Sequence, residues 1–118
     1  MKIERFEELI AWQKSKELTI LIYRLIYRLF KNNKDFSFKD QIQRASISIM
    51  NNIAEGLERK SNRELMNFLY IAKGSCGEVR SMLCTANDLS YITKNDLNIA
   101  NNLSIEVSKL LSGFIKVL

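Results

Sequence analysis

Histidine and proline are absent from these 118 residues, glycine occurs four times and cysteine twice. Each scarcity excludes something. Without histidine the commonest general base and metal ligand are gone, and with them every Ser–His or Cys–His pair. The Glu-x-x-His motif of carboxylate di-iron bundles cannot be written either. Two cysteines alone fall short of a tetrahedral zinc site. The sequence therefore predicts no enzyme, no cofactor and no metal. Proline and glycine break helices, so their scarcity favours long uninterrupted helices over a turn-rich β fold. Apolar runs are short as well. The most apolar, Leu18 to Phe30, spans 13 residues and carries Arg24 and Arg28, against the roughly 20 residues a membrane helix needs. Met1 to Trp12 alternates charges where a secretory leader would be apolar. A protein of the cytoplasm is expected.

What is present is 47% apolar and 26% charged, a globular balance, with a net charge of +5. One domain over 1–118 is expected, with a folded surface of roughly 6,600 Å². Cys76 and Cys84, eight residues apart on one predicted helix, would sit about 12 Å from each other, too far to bridge. They are expected to be reduced, buried thiols.

Hydrophobic periodicity predicts four helices. The first, Glu7 to Lys31, carries Leu18, Ile22, Leu25 and Leu29 on one stripe with Leu21 beside it. Ile20, Tyr23, Tyr27 and Phe30 form a second apolar stripe on nearly the opposite side. A surface helix in a monomer needs one such stripe, so the second is expected to be covered by another copy of the chain. After a polar connector, Ser37 is the expected N-cap of a helix over Phe38 to Glu58, with Asp40 in its first turn. Its core face is Ile42, Ala45, Ser46, Ile49 and Ile53, and Gly56 either ends it or permits close packing. Ser61 and Glu64 read as a capping box opening Asn62 to Leu89. The core stripe there is Leu65, Phe68, Leu69, Ala72, Cys76, Val79, Leu83 and Ala86. Thr93 caps the fourth helix with Asp96 in its first turn, and Leu97, Ala100, Leu103, Val107, Leu110, Leu111, Phe114 and Leu118 continue the seam. Four long amphipathic segments with short connectors predict an all-α fold, an up-down-up-down antiparallel four-helix bundle.

Two clusters draw a chemical reading. Gly74-Ser75-Cys76-Gly77 lacks the G-x-S-x-G spacing, follows no strand and has no base, so it is expected to be non-catalytic. Small residues at 72 and 74–77 instead suit the close approach of a neighbouring backbone. On the second helix Arg44, Ser48, Asn51, Asn52, Glu55 and Arg59 share a sector of roughly 100°. Ser and Asn are poor surface helix formers, so this stripe predicts a specific polar contact between helices or subunits. A solvated face, or a ligand or nucleic-acid contact, are the alternatives.

Three runs carry a resemblance. They are Phe6-x-x-Leu9-x-x-Trp12-Gln13-Lys14, then Gln41-Ile42-x-Arg44-Ala45-x-x-Ser48-Ile49-x-x-Asn52-Ile53-Ala54-Glu55-Gly56-x-x-Arg59, then Phe68-Leu69-x-x-Ala72-x-Gly74-Ser75-x-x-Glu78. Together they resemble the bacterial four-helix bundle proteins called 23S rRNA intervening-sequence proteins. The resemblance implies a ring-like homopentamer with no established enzymatic activity, and by analogy with a related retroelement bundle, RNA as a partner. The family pattern often has proline two residues before the Asn that matches Asn52, where this chain has Met50, and after the first helix, where it reads Phe30-Lys31-Asn32. A straighter second helix and a more flexible first connector are expected. The function expected is a non-enzymatic homo-oligomer, with itself, RNA or another protein as partners. The alternative is an RNA-processing or toxin-like enzyme acting through Arg44, Glu55 and Arg59.

Overall fold

In the structure, a computed structural model, residues 5–29 and 33–118 are described. A short 3₁₀ turn, Phe6–Glu8, precedes α1 (Ile10–Leu29), α2 (Phe36–Leu57), α3 (Asn62–Asp88) and α4 (Lys94–Lys116). The helices pack in cyclic order: α2 touches α1 and α3, and α4 touches α3 and α1. The diagonal pairs α1–α3 and α2–α4 have no Cα atoms within 8 Å of each other among the described residues. Cross-contacts run in opposite sequence order, Gly56 against Phe68 and Ser48 against Ser75 on one seam, Arg28 against Asp96 and Lys14 against Glu106 on another. On these two seams the helices are therefore antiparallel, in a bundle measuring 45 × 22 × 20 Å.

The stripes anticipated from the sequence form the core. Leu18, Ile22, Leu25, Ile42, Ile49, Ile53, Leu69, Val79, Leu83, Val107 and Leu111 are all buried. Removing a side chain of this kind from water contributes roughly 1.5–3 kcal/mol. Phe68, Leu97, Leu103, Leu110, Phe114 and Leu118 are only half-buried, at the margins of the core. Periodicity undercounts one class of core residue, the hydroxyls. Besides Ser46, which the period places on the core face, Ser15, Thr19, Ser75 and Ser104 are all buried. Thr19 Oγ1 donates to the carbonyls of Ser15 (3.0 Å) and of Ser46 across the α1–α2 seam (3.1 Å), and Ser104 Oγ to that of Cys76 (3.3 Å). Bonded in this way a hydroxyl escapes the roughly 1–3 kcal/mol cost of an unsatisfied buried polar group, and its small size lets helices close on one another.

The helix starts differ in part from expectation. The first helix is not continuous from Glu7: Leu9, in extended conformation, breaks it from the 3₁₀ turn. Phe6 then packs edge-on against Trp12 (5.1 Å between centroids), Leu9 is buried, and Gln13 Nε2 donates to the Glu7 carbonyl at 2.8 Å. The Phe6…Leu9…Trp12-Gln13 run thus builds a hook folded back on α1. Ser37 does not cap α2. Asp35 does, accepting from the Phe38 N–H at 3.1 Å. Its carboxylate also accepts from the Tyr91 hydroxyl (2.7 Å), and its own N–H donates to Asn33 Oδ1. An acid anchored from both sides of the loop takes the cap, and Ser37 is left exposed inside the first turn. Ser61 caps α3 as expected, accepting from the Glu64 N–H at 3.2 Å.

Thr93 and Asp96 form a complete capping box at α4. Burial pushes the Asp96 carboxyl up. The Thr93 hydroxyl (2.8 Å) and N–H and the Arg28 guanidinium (2.9 Å) more than offset this, so it sits below the ordinary carboxylate value. A carboxylate with a lowered pKa stabilises the fold above its unfolded pKa, and that contribution is lost as pH falls through the folded one. Thr93→Ala is expected to cost about 1 kcal/mol at pH 7 and less once the pH has fallen through the lowered Asp96 value, where the carboxyl is protonated in both proteins. Thermal melts over an acid pH series check this.

The glycines divide into two kinds. A Cβ on Gly56 would sit 2.9 Å from Phe68 Cβ and 3.0 Å from Leu65 Cδ1, so Gly56 is where α2 and α3 approach closely. Beyond Gly74 there is nothing within 4 Å, and a Cβ on Gly77 meets only Arg80 Nη2 at 4.0 Å. Within the subunit, then, close packing uses Gly56 and not Gly74 or Gly77. Cys76 is buried as expected, whereas Cys84 is exposed, because it lies on the outer side of α3.

Candidate functional site

The polar stripe of α2 divides into three kinds of environment. Arg44 Nε donates to Asp40 (2.8 Å) and Arg59 Nη2 to Glu55 (2.7 Å), each pair one helical turn apart and exposed. Arg59 also lies over the Phe68 ring, 4.8 Å from its centroid. Asn51 is exposed. Ser48 and Asn52 are half-buried against α3. There Asn52 Nδ2 donates to the Ser48 carbonyl (2.7 Å) and hydroxyl (3.0 Å), and Ser75 Oγ donates across the seam to Ser48 Oγ (3.0 Å). Gln41 extends the seam by bonding Glu78. Six motif positions, Gln41, Ser48, Asn52, Gly56, Ser75 and Glu78, thus meet along one α2–α3 seam. Asn52→Ala is expected to cost about 1 kcal/mol, since Ser48 keeps its Ser75 partner. Glu55→Ala, losing an exposed pair, should cost less than about 0.5 kcal/mol. Denaturant titration of both variants separates the two.

Of the three residues of the enzymatic alternative, Glu55 and Arg59 pair with each other, while Arg44 pairs with Asp40 at the other end of the stripe. The buried Cys76 thiol is pushed up to about 11 by desolvation, the opposite of an activated nucleophile. Among the described residues no group of three Cys, Asp or Glu side chains is placed to hold a metal ion. No described helix is long and apolar enough to cross a membrane.

The outer face of α1 is of another kind. Ile20 and Tyr23 are each 40% exposed and Tyr27 73%. Phe30, the last member of the predicted stripe, and the side chain of Leu29 lie outside the described residues. A depression of about 990 Å³ runs over this face, lined by Ile20, Tyr23, Tyr27, Ile47 from α2 and Ile99 from α4. Ile99 is itself 52% exposed and lies off the predicted α4 seam, beside the exposed Asn98 and Asn102, so that only the α1–α4 packing places it here. Arg24 stands within the patch, and Arg28 closes one end with its pair to Asp96.

A sequence profile of the family described as 23S rRNA-intervening sequence protein matches residues 7–113. Among solved structures, the crystal structure of a protein with unknown function from the S23 ribosomal protein family of Bacteroides thetaiotaomicron VPI-5482 is similar. It is 33% identical with a TM-score of 0.86, covering 91% of this chain and 99% of that one. Comparison with curated proteins finds no match.

Proposed function

We propose that this chain, which belongs to the 23S rRNA-intervening sequence protein family, is a non-enzymatic assembly protein whose working form is a homo-oligomer closed through the outer face of α1. The observation that carries this reading is the apolar face itself. Ile20, Tyr23 and Tyr27, continued by Ile47 and Ile99 of the flanking helices, put large apolar side chains where a monomeric bundle helix would be polar. Contiguous exposed apolar surface rimmed by charge marks an interaction surface. Five copies, the number the family resemblance suggests, would carry 5 × 5 = +25 formal charges. RNA is the partner such an assembly would attract, through salt-sensitive phosphate contacts.

The test is a single charge in the patch. Tyr23→Glu is expected to dissociate the assembly to 13.7 kDa subunits while leaving the helical circular dichroism intact. An oligomer unaffected by Tyr23→Glu would remove α1 from the interface. Filter binding of RNA across a salt series tests the second partner, with affinity falling steeply as salt rises. Binding indifferent to salt would count against it.

A further inference from the structure

The α1 face accounts for one side of a contact; the structure also offers a candidate for the other. α3 is the helix diagonal to α1, with no Cα within 8 Å of it among the described residues, so their outer faces look to opposite sides of the bundle. The side of α3 away from the core presents Tyr70 (57% exposed), Ile71 (52% exposed), Gly74 and Glu78. Tyr70 and Ile71 stand one turn before Gly74, while Gly77 and Glu78 stand one turn after it. Above Gly74 the space is open, while Arg80 Nη2 lies 4.0 Å from where a Cβ on the half-buried Gly77 would stand. The result is a notch at Gly74 with an apolar wall at one end and, at the other, the Glu78 carboxylate with the Arg80 guanidinium beside Gly77. Exposed glycine weakens the middle of a helix, and among the described residues nothing makes use of the space Gly74 leaves.

We propose that the α1 ridge of one copy docks into the α3 notch of the next, so that subunits join head to tail. This rests on the self-assembly reading above and names the surface that receives it. Shape and charge both favour this pairing over α1 against α1. A ridge of Ile20 and Tyr23 fits a glycine-floored notch, because side chains from one helix pack into the gap between residues one turn apart on another. Arg24, which stands within the ridge, has no ion pair in the subunit among the described residues, and Glu78, at the rim of the notch, has Gln41 as its partner but no cation. Head-to-tail docking brings the two signs together. A two-fold contact of α1 with α1 would set Arg24 against its own copy and leave Tyr70 and Ile71 uncovered. Because ridge and notch are different surfaces on different sides, the contact is heterologous, the type that generates rings or open chains.

Mixing separates the possibilities. Tyr23→Glu spoils the ridge and keeps the notch; Gly74→Leu fills the notch and keeps the ridge. Ile71→Lys serves as a second notch variant should Gly74→Leu not fold. Sedimentation velocity at tens of micromolar should show each variant alone as a 13.7 kDa monomer. An equimolar mixture of Tyr23→Glu with either notch variant should sediment as a one-to-one dimer that grows no further. A mixture that stays monomeric overturns head-to-tail docking. If the unmodified protein assembles and folded notch variants assemble equally well, the α3 surface is wrong while self-assembly through α1 stands. If the unmodified protein is itself a monomer, both readings fall together.

Discussion

Gly56→Leu is expected to destabilise the subunit by about 3 kcal/mol, while Gly74→Leu, the same change eighteen residues on, should stabilise it by up to about 1 kcal/mol. Both glycines lie in helices and neither has a positive φ, so backbone conformation does not distinguish them. Their surroundings do. At Gly56 even a methyl group arrives 2.9 Å from Phe68 Cβ, an atom fixed to the α3 backbone that cannot swing away. Either α2 and α3 separate, opening the seam from Ile53 to Leu69, or the new side chain is forced off its rotamer. At Gly74 the new side chain enters solvent and the helix gains propensity. Because Gly74→Leu is also expected to block assembly, both are best compared in the Tyr23→Glu background, where subunit association does not enter the melting curve. Equal effects of the two substitutions would contradict the division of the glycines into a packed one and an open one.

The second large effect is on mass. Tyr23→Glu places a carboxylate in the middle of a patch bounded by Ile20, Ile47 and Ile99. On an exposed monomer surface this change is worth a few tenths of a kcal/mol. In a closed interface it buries a charge away from water, a cost of several kcal/mol that a contact of ordinary size cannot absorb. The expected dissociation constant of the variant therefore lies at least about a thousandfold above that of the parent, some 4 kcal/mol. Tyr23→Phe, which keeps the apolar surface, should leave assembly nearly intact. Light scattering over a dilution series reads both.

Most of the fold was legible in the sequence because amphipathic helices write their core face at a fixed period. Ile42, Ala45, Ile49 and Ile53, or Leu69, Ala72, Cys76 and Val79, repeat every three or four residues and are buried where the period places them. The capping residues Ser61 and Thr93 stood out because each precedes an acid by three. What stayed hidden depended on contacts between distant segments. Asp35 takes the α2 cap because Tyr91, 56 residues later, holds its carboxylate; from local sequence alone Ser37 is the better candidate. Ser15, Thr19 and Ser104 look like surface hydroxyls until neighbouring helices close over them. Of the polar stripe, the sequence showed that Ser48 and Asn52 were unusual on a solvent face. It could not show that Ser75 and Gln41 complete the seam, nor that Arg44 and Glu55 stop at partners one turn away. The α1 stripe was visible as a second apolar face, whereas Ile99 and the notch at Gly74 emerge only once α4 and α3 are set around it.

The most direct test is the mass of the unmodified protein in solution. Sedimentation equilibrium or light scattering at micromolar concentration should return a discrete multiple of the 13.7 kDa subunit, with Ile20 and Tyr23 withdrawn from solvent. A single species of 13.7 kDa across that range would contradict the account, since the apolar face of α1 would then stand open to water with nothing to cover it.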